Sequence, residues 1–253
     1  MSEAAASAAL NSWISWRKPR PETRLRLFCF PHAGAGALIY RSWQDSLPAD
    51  IEVCPIQLPG RGTRLMERPF TQLTPLVEAL AQALAPLLDI PFAFFGHSLG
   101  ALVSFELARR IRRQYGRHPV RLLVSAARAP QIPQRESPIH ALPEKEFLAE
   151  LRRLNGTPSE LLDHDELMEI MLPLLRADFA VYETYSYSNE PPLNCPISAL
   201  GGLQDQRVND RDLQAWRAQT DGAFSLRMLP GGHFFLREPL LLRVLTNELQ
   251  TSR

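Results

Sequence analysis

The chain has 253 residues, 45% hydrophobic and 22% charged, which suits one well-cored α/β domain and excludes disorder as the expected state. Its 28 basic and 27 acidic residues leave a formal net charge of +1, so no global field draws it to nucleic acid or an anionic membrane, and neither is expected as a partner. No stretch is long and apolar enough to span a bilayer, and Cys29, Cys54 and Cys195, an odd set scattered through apolar runs, read as reduced core residues of a cytoplasmic protein rather than as metal ligands.

Along the chain, residues 1–20 open Ala/Ser-rich and read as a flexible N-terminal extension to a domain covering 21–253. Short apolar runs at 25–30, 51–58, 92–95, 121–126, 197–201 and 225–229 then read as buried strands. Segments with apolar residues at helical spacing lie between and after them, at 40–46, 73–88, 99–114, 210–220 and 236–249. The alternation predicts a mostly parallel sheet flanked by helices. One interval breaks it, because 130–196 holds no buried strand, only the amphipathic patterns 143–154 and 164–185 bracketed by prolines. This interval is expected to be an inserted helical lid.

The third apolar run leads directly into Gly96-His97-Ser98-Leu99-Gly100, after which a helical pattern begins. A G-x-S-x-G between strand and helix is the nucleophile elbow of α/β hydrolases: the turn is tight enough to need the two glycines, and it exposes the serine in a strained conformation. Ser98 is therefore the candidate nucleophile. A serine hydroxyl needs a histidine base, and that base needs an acid to hold its tautomer. The hydrolase order is serine, acid, histidine. Asp205 follows the fifth strand through Gly202-Leu203-Gln204, and His233 follows Pro230-Gly231-Gly232 after the sixth. Both emerge at the carboxyl edge of the sheet, where Ser98 lies.

Among six histidines, His118 and His140 sit in polar, proline-adjacent stretches, and His164 reads as the first turn of a lid helix. His97 is held in the elbow, which leaves His32 as the rival to His233. Asp210 and Asp212 read as a first helical turn, and Asp178 lies inside the lid pattern. For the oxyanion, the amide of Leu99 follows the nucleophile, and the loop Pro31-His32-Ala33-Gly34-Ala35-Gly36 offers a second donor, Ala33 being preferred and Gly34 the alternative. That loop has neither a P-loop lysine nor a G-x-G-x-x-G register, which argues against a nucleotide site.

Taken together, Phe30-Pro31-His32-Ala33-Gly34, Gln57-Leu58-Pro59-Gly60-Arg61, the elbow, Leu172-Pro173-Leu174-Leu175-Arg176-Ala177-Asp178, Leu200-Gly201-Gly202 with Asp205, and Pro230-Gly231-Gly232-His233-Phe234-Phe235 resemble a known family. It is that of the stand-alone type II thioesterases of polyketide and nonribosomal peptide synthesis, relatives of the medium-chain thioesterase of fatty-acid synthesis. The resemblance covers nearly the whole chain. It implies hydrolysis of acyl thioesters from the phosphopantetheine arm of carrier proteins, with Ser98, Asp205 and His233 as triad, carrier domains as partners, no cofactor or metal, and a monomer. Gly62 departs from the family pattern, in which a glutamate often follows Pro-Gly-Arg.

The triad chemistry by itself also fits a carboxylesterase acting on small esters, and the fold a hydrolase-like module that only binds carrier domains. Lid residues Leu161, Leu167, Met168, Met171 and Phe179 are candidates for an acyl pocket. The cluster Arg109, Arg110, Arg112, Arg113 and Arg117 is a candidate for meeting an acidic carrier, against the plainer reading of a solvated helix end.

Overall fold

A computed structural model describes residues 12–156 and 159–250. Six strands, β1 (Leu25–Phe30), β2 (Ile51–Pro55), β3 (Phe92–His97), β4 (Arg121–Ser125), β5 (Ile197–Gly202) and β6 (Phe224–Leu229), form one sheet in the order β2-β1-β3-β4-β5-β6. Every neighbouring pair is parallel. The first five strands are buried along their whole length, which is why they read as continuous apolar runs rather than as alternating ones.

The helices are α1 (Trp43–Ser46), α2 (Leu73–Leu84), α3 (Leu99–Tyr115), α4 (Glu144–Leu154), α5 (Ser159–Leu162), α6 (Asp165–Glu183), α7 (Asp210–Gln214) and α8 (Pro239–Gln250). One core joins α2 and α3 to the sheet through Leu76, Leu80, Phe94, Phe105 and Ile111. The other joins Tyr40, α1 and α8 to it through Trp43, Phe95, Leu241, Leu245 and Leu249. Between β4 and β5 the chain leaves the sheet and builds α4, α5 and α6 around a small core of its own, formed by Phe147, Leu151, Leu162, Met168, Leu172 and Leu175. The excursion is the expected lid, with the short α5 as an element the periodicity did not anticipate.

Several boundaries differ from expectation for local reasons. The 73–88 pattern turns into a 3-10 segment at Ala85–Leu87, where Pro86 cannot donate to the helical ladder. The 40–46 pattern divides into a 3-10 turn at Ala37–Tyr40 and α1. The last helix begins at Pro239, whose fixed φ suits a first helical position.

The N-terminal expectation needs correction. Residues 1–11 lie outside the described ones, but Trp13 and Ile14 are buried in the main core. The cause is the sheet edge: β2 has a neighbour on one side, and Ile14 covers the other by an antiparallel bridge to Ile56, with Gln57 N donating to Trp13 O at 2.8 Å and Ser15 N to Pro55 O at 3.1 Å. The Arg64 guanidinium lies 4.1 Å from the centre of the Trp13 ring.

Candidate active site

Ser98 stands between β3 and α3 with φ 53° and ψ −115°, a left-handed conformation that costs a non-glycine residue on the order of 1–3 kcal/mol. The crossing is as tight as the motif demands: a Cβ on Gly96 would lie 2.2 Å from Gly100 O, and one on Gly100 would lie 2.1 Å from Phe30 O. Ser98 N is anchored to Ser125 O at 2.8 Å, so the strain is held by the neighbouring strand. Its side chain stays partly exposed while those on either side are buried.

The ends of β5 and β6 bring up the other two residues. Gly202 runs so close to the loop after β6 that a Cβ there would meet Gly232 O at 2.4 Å, and Leu203 N and Gln204 N donate to Leu229 O and Gly231 O. This pairing sets Asp205 beside His233. His233 Nδ1 lies 2.8 Å from Asp205 Oδ2, and Nε2 lies 3.2 Å from Ser98 Oγ. The second oxygen of Asp205 accepts from the amides of Arg207 at 2.8 Å and Val208 at 3.2 Å, which fixes the carboxylate. Burial works to raise the Asp205 pKa, but His233 and these two amides outweigh it and hold the group below the ordinary carboxylate value. Burial also disfavours the imidazolium of His233; the Asp205 hydrogen bond opposes this only in part, so the ring titrates below the usual 6.5.

The rival histidine has a different environment. His32 does not bond to Ser98: its Nδ1 faces Ala33 O at 3.0 Å, its ring packs edge-on against Phe234, and burial lowers its pKa to about 4. His97 is fully buried with Nδ1 on Ser125 Oγ at 2.9 Å, and His140 is paired with Glu183 at 2.6 Å. Asp212 forms a capping box with Asn209 at the start of α7, as a first-turn residue should.

Ala33 and Leu99 both line the recess above Ser98. Gly34, the alternative donor, has its amide committed to Asp178 Oδ2 at 2.7 Å. Asp178 is buried on the lid helix α6 and is held bidentately by Arg61, with Nη1–Oδ2 at 2.8 Å and Nη2–Oδ1 at 2.7 Å. Arg61 Nη1 also donates to Ala35 O at 3.0 Å, and Gln57 donates to Arg61 O while accepting from Ala37 N. Two sequence motifs, Pro-Gly-Arg and the end of the Leu172–Asp178 run, therefore meet on the loop that carries Ala33. Neither had been given a role from sequence, because the ion pair spans 117 positions.

The recess itself is mostly apolar, with Leu151 and Leu154 from α4, Leu175 and Phe179 from α6, and Phe234 beside His233. Of the lid residues singled out by pattern, Phe179 lines it, whereas Met168 and Met171 pack within the lid core and Leu167 is exposed. The arginine cluster on α3 is also spoken for. Arg109, Arg112 and Arg113 converge on Glu190, and Arg112 donates to the carbonyls of Pro191 and Pro192, so these side chains fasten the chain returning from the lid. Among the described residues no group of three or more His, Cys, Asp or Glu is arranged to hold a metal ion, and no helix is long and apolar enough to cross a membrane.

The model of the thioesterase domain family matches residues 25–248. Gramicidin S biosynthesis protein GrsT of Aneurinibacillus migulanus is 50% identical over 229 residues, 90% of each chain. Linear gramicidin dehydrogenase LgrE of Brevibacillus parabrevis is 47% identical over 246 residues, 95% of this chain and 94% of its own. Among solved structures, the type II thioesterase BorB from the borrelidin biosynthetic cluster superposes with a TM-score of 0.85 at 38% identity, over 94% of this chain and 98% of its own. With an α/β-hydrolase sheet, an elbow serine and a domain match across nearly its whole length, the chain belongs to the thioesterase family.

Proposed function

We propose that this protein is a type II thioesterase that hydrolyses acyl groups from the phosphopantetheine arm of carrier proteins in a polyketide or nonribosomal peptide synthase, by a Ser98-His233-Asp205 triad and an acyl-enzyme. The observation that carries the mechanism is the line Asp205 Oδ2, His233, Ser98 Oγ, with contacts of 2.8 and 3.2 Å. Ser98 Oγ attacks the thioester carbonyl as His233 Nε2 takes its proton. The oxyanion is held by the amides of Leu99 and Ala33. Collapse expels the pantetheine sulfur as a thiolate, which needs little help to leave, a cysteine thiol having a reference pKa of about 8.5, and which takes the proton from His233 so that the imidazole is neutral again. Water activated by His233 then attacks the acyl-serine, releasing the free acid and restoring Ser98. Asp205 keeps the imidazole in the tautomer that presents a lone pair to Ser98 and stabilises the imidazolium.

The carrier-protein substrate is supported by the relatives, whose names refer to gramicidin S biosynthesis and to the borrelidin cluster. A redox activity, as the name of the LgrE relative denotes, finds no support in this triad and its apolar recess, which suit acyl transfer. The test is labelling with a fluorophosphonate: the expected result is a single adduct on Ser98, lost together with acyl-carrier hydrolysis in Ser98→Ala. Hydrolysis by Ser98→Ala at the parental rate would overturn the mechanism.

A further inference from the structure

Buried arginines in this fold hold carboxylates: Arg26 holds Glu52, Arg61 holds Asp178, Arg64 holds Glu67, Arg109 holds Glu106 and Arg121 holds Glu248. Arg207 is different. It lines the recess above Ser98, in a wall otherwise dominated by leucine and phenylalanine, and among the described residues its guanidinium has neither a hydrogen bond nor an ion pair. Its backbone is not free to drift, because the Arg207 amide is one of the two that hold Asp205 Oδ1. The nearby carboxylates do not satisfy it. Both oxygens of Asp205 are committed to His233 and to backbone amides, and Glu136, across an adjoining recess, approaches Arg128 at 3.9 Å instead. A guanidinium stays charged in such surroundings, and a half-buried cation that feels Glu136 and Asp205 only at a distance is costly unless something that enters the recess bonds to it directly. Its planar fork suits a carboxylate.

We propose that Arg207 is a specificity-determining residue that pairs with a carboxylate on the acyl group, so that the recess accepts short carboxyacyl thioesters, the half-thioesters of dicarboxylic acids, beside neutral acyl groups. The inference deepens the thioesterase reading and rests on it. An anionic partner could also come from the phosphodiester of the pantetheine arm, but that group is common to every carrier-bound substrate, so a comparison of acyl groups on one arm separates the two sources.

The experiment measures kcat/KM for release of succinyl and butyryl, and of glutaryl and pentanoyl, from the same phosphopantetheinyl carrier protein by the parent, Arg207→Gln and Arg207→Lys. The readout is the carboxyacyl-to-neutral ratio, which cancels any general effect of the charge on His233. The expected result is a ratio that falls by roughly tenfold or more in Arg207→Gln, the scale of one charge-assisted hydrogen bond, and recovers in part in Arg207→Lys. An unchanged ratio overturns the inference and leaves the thioesterase standing, as does an equal loss on all four substrates, which would have Arg207 act on the arm or through His233. If the parent releases none of them, the thioesterase reading fails and takes this inference with it.

Discussion

The strain at Ser98 and the order of groups behind it define what each residue contributes. Ser98→Ala removes the proposed nucleophile without touching the two glycine crossings, so the protein is expected to fold as before and lose turnover by roughly 10³-fold or more, measured as acyl release and thermal melting side by side. His233→Ala should match it. Asp205→Asn keeps the shape but favours the wrong tautomer, and is expected to leave more activity than either. Burial lowers the His233 pKa from its usual 6.5, which favours the neutral imidazole that the proposed base requires. The acid limb of kcat/KM is therefore expected below pH 6.5, activity falling as the imidazole takes up its proton; a limb above pH 7 would contradict the assigned environment. The convergence of Ser98, Asp205 and His233 was legible in the sequence because each lies just past a strand end, Ser98 directly after β3, Asp205 beyond Leu203-Gln204 after β5, and His233 beyond Pro230-Gly231-Gly232 after β6. Arg207 was not, since an arginine in a polar loop looks solvated until the lid is in place over it.

At the scale of elements, the ion pair of Arg61 and Asp178 ties the lid helix α6 to the loop carrying Ala33. Removing one partner strands the other charge in the interior, so Asp178→Asn is expected to cost about 3 kcal/mol of stability in a denaturant titration. It should also lower kcat more than it raises KM, because the loop carries Ala33, the proposed oxyanion donor. Arg61→Leu with Asp178→Leu is expected to regain much of the stability but not the kcat; full recovery of both would mean that the pair only fills space. A second element-scale prediction concerns the N-terminal segment. Trp13→Ala removes a buried ring from the main core and the partner of Arg64, and is expected to cost about 3 kcal/mol. A melting temperature unchanged from the parent would show the packing of that segment to be incidental. Periodicity revealed the long helices α2, α3, α4 and α6, but not α5, which spans only Ser159–Leu162. It also missed the strap formed by Trp13 and Ile14, because two apolar residues after an Ala/Ser run carry no period and gain meaning only from the open edge of β2.

For the molecule as a whole, a net charge of +1 and the engagement of Arg109, Arg112 and Arg113 with Glu190 do not favour that arginine cluster as the contact for an acidic carrier. Modest salt dependence of kcat/KM on a carrier-bound substrate is therefore expected, seen as a shallow slope against ionic strength. The parallel sheet was readable from strands buried on both faces, and the lid from the interval without a strand. What the recess holds depends on which lid side chains turn inward, and a helical pattern does not distinguish Phe179, which lines it, from Met168, which packs within the lid. The measurement that bears most directly on the account is single-turnover release of one acyl group presented in two forms, on a phosphopantetheinyl carrier protein and as a simple aryl ester, with Ser98→Ala as control. Serine-dependent release from the carrier protein with the higher kcat/KM is the predicted result; cleavage of the aryl ester with none from the carrier protein would contradict the account and make the protein a carboxylesterase.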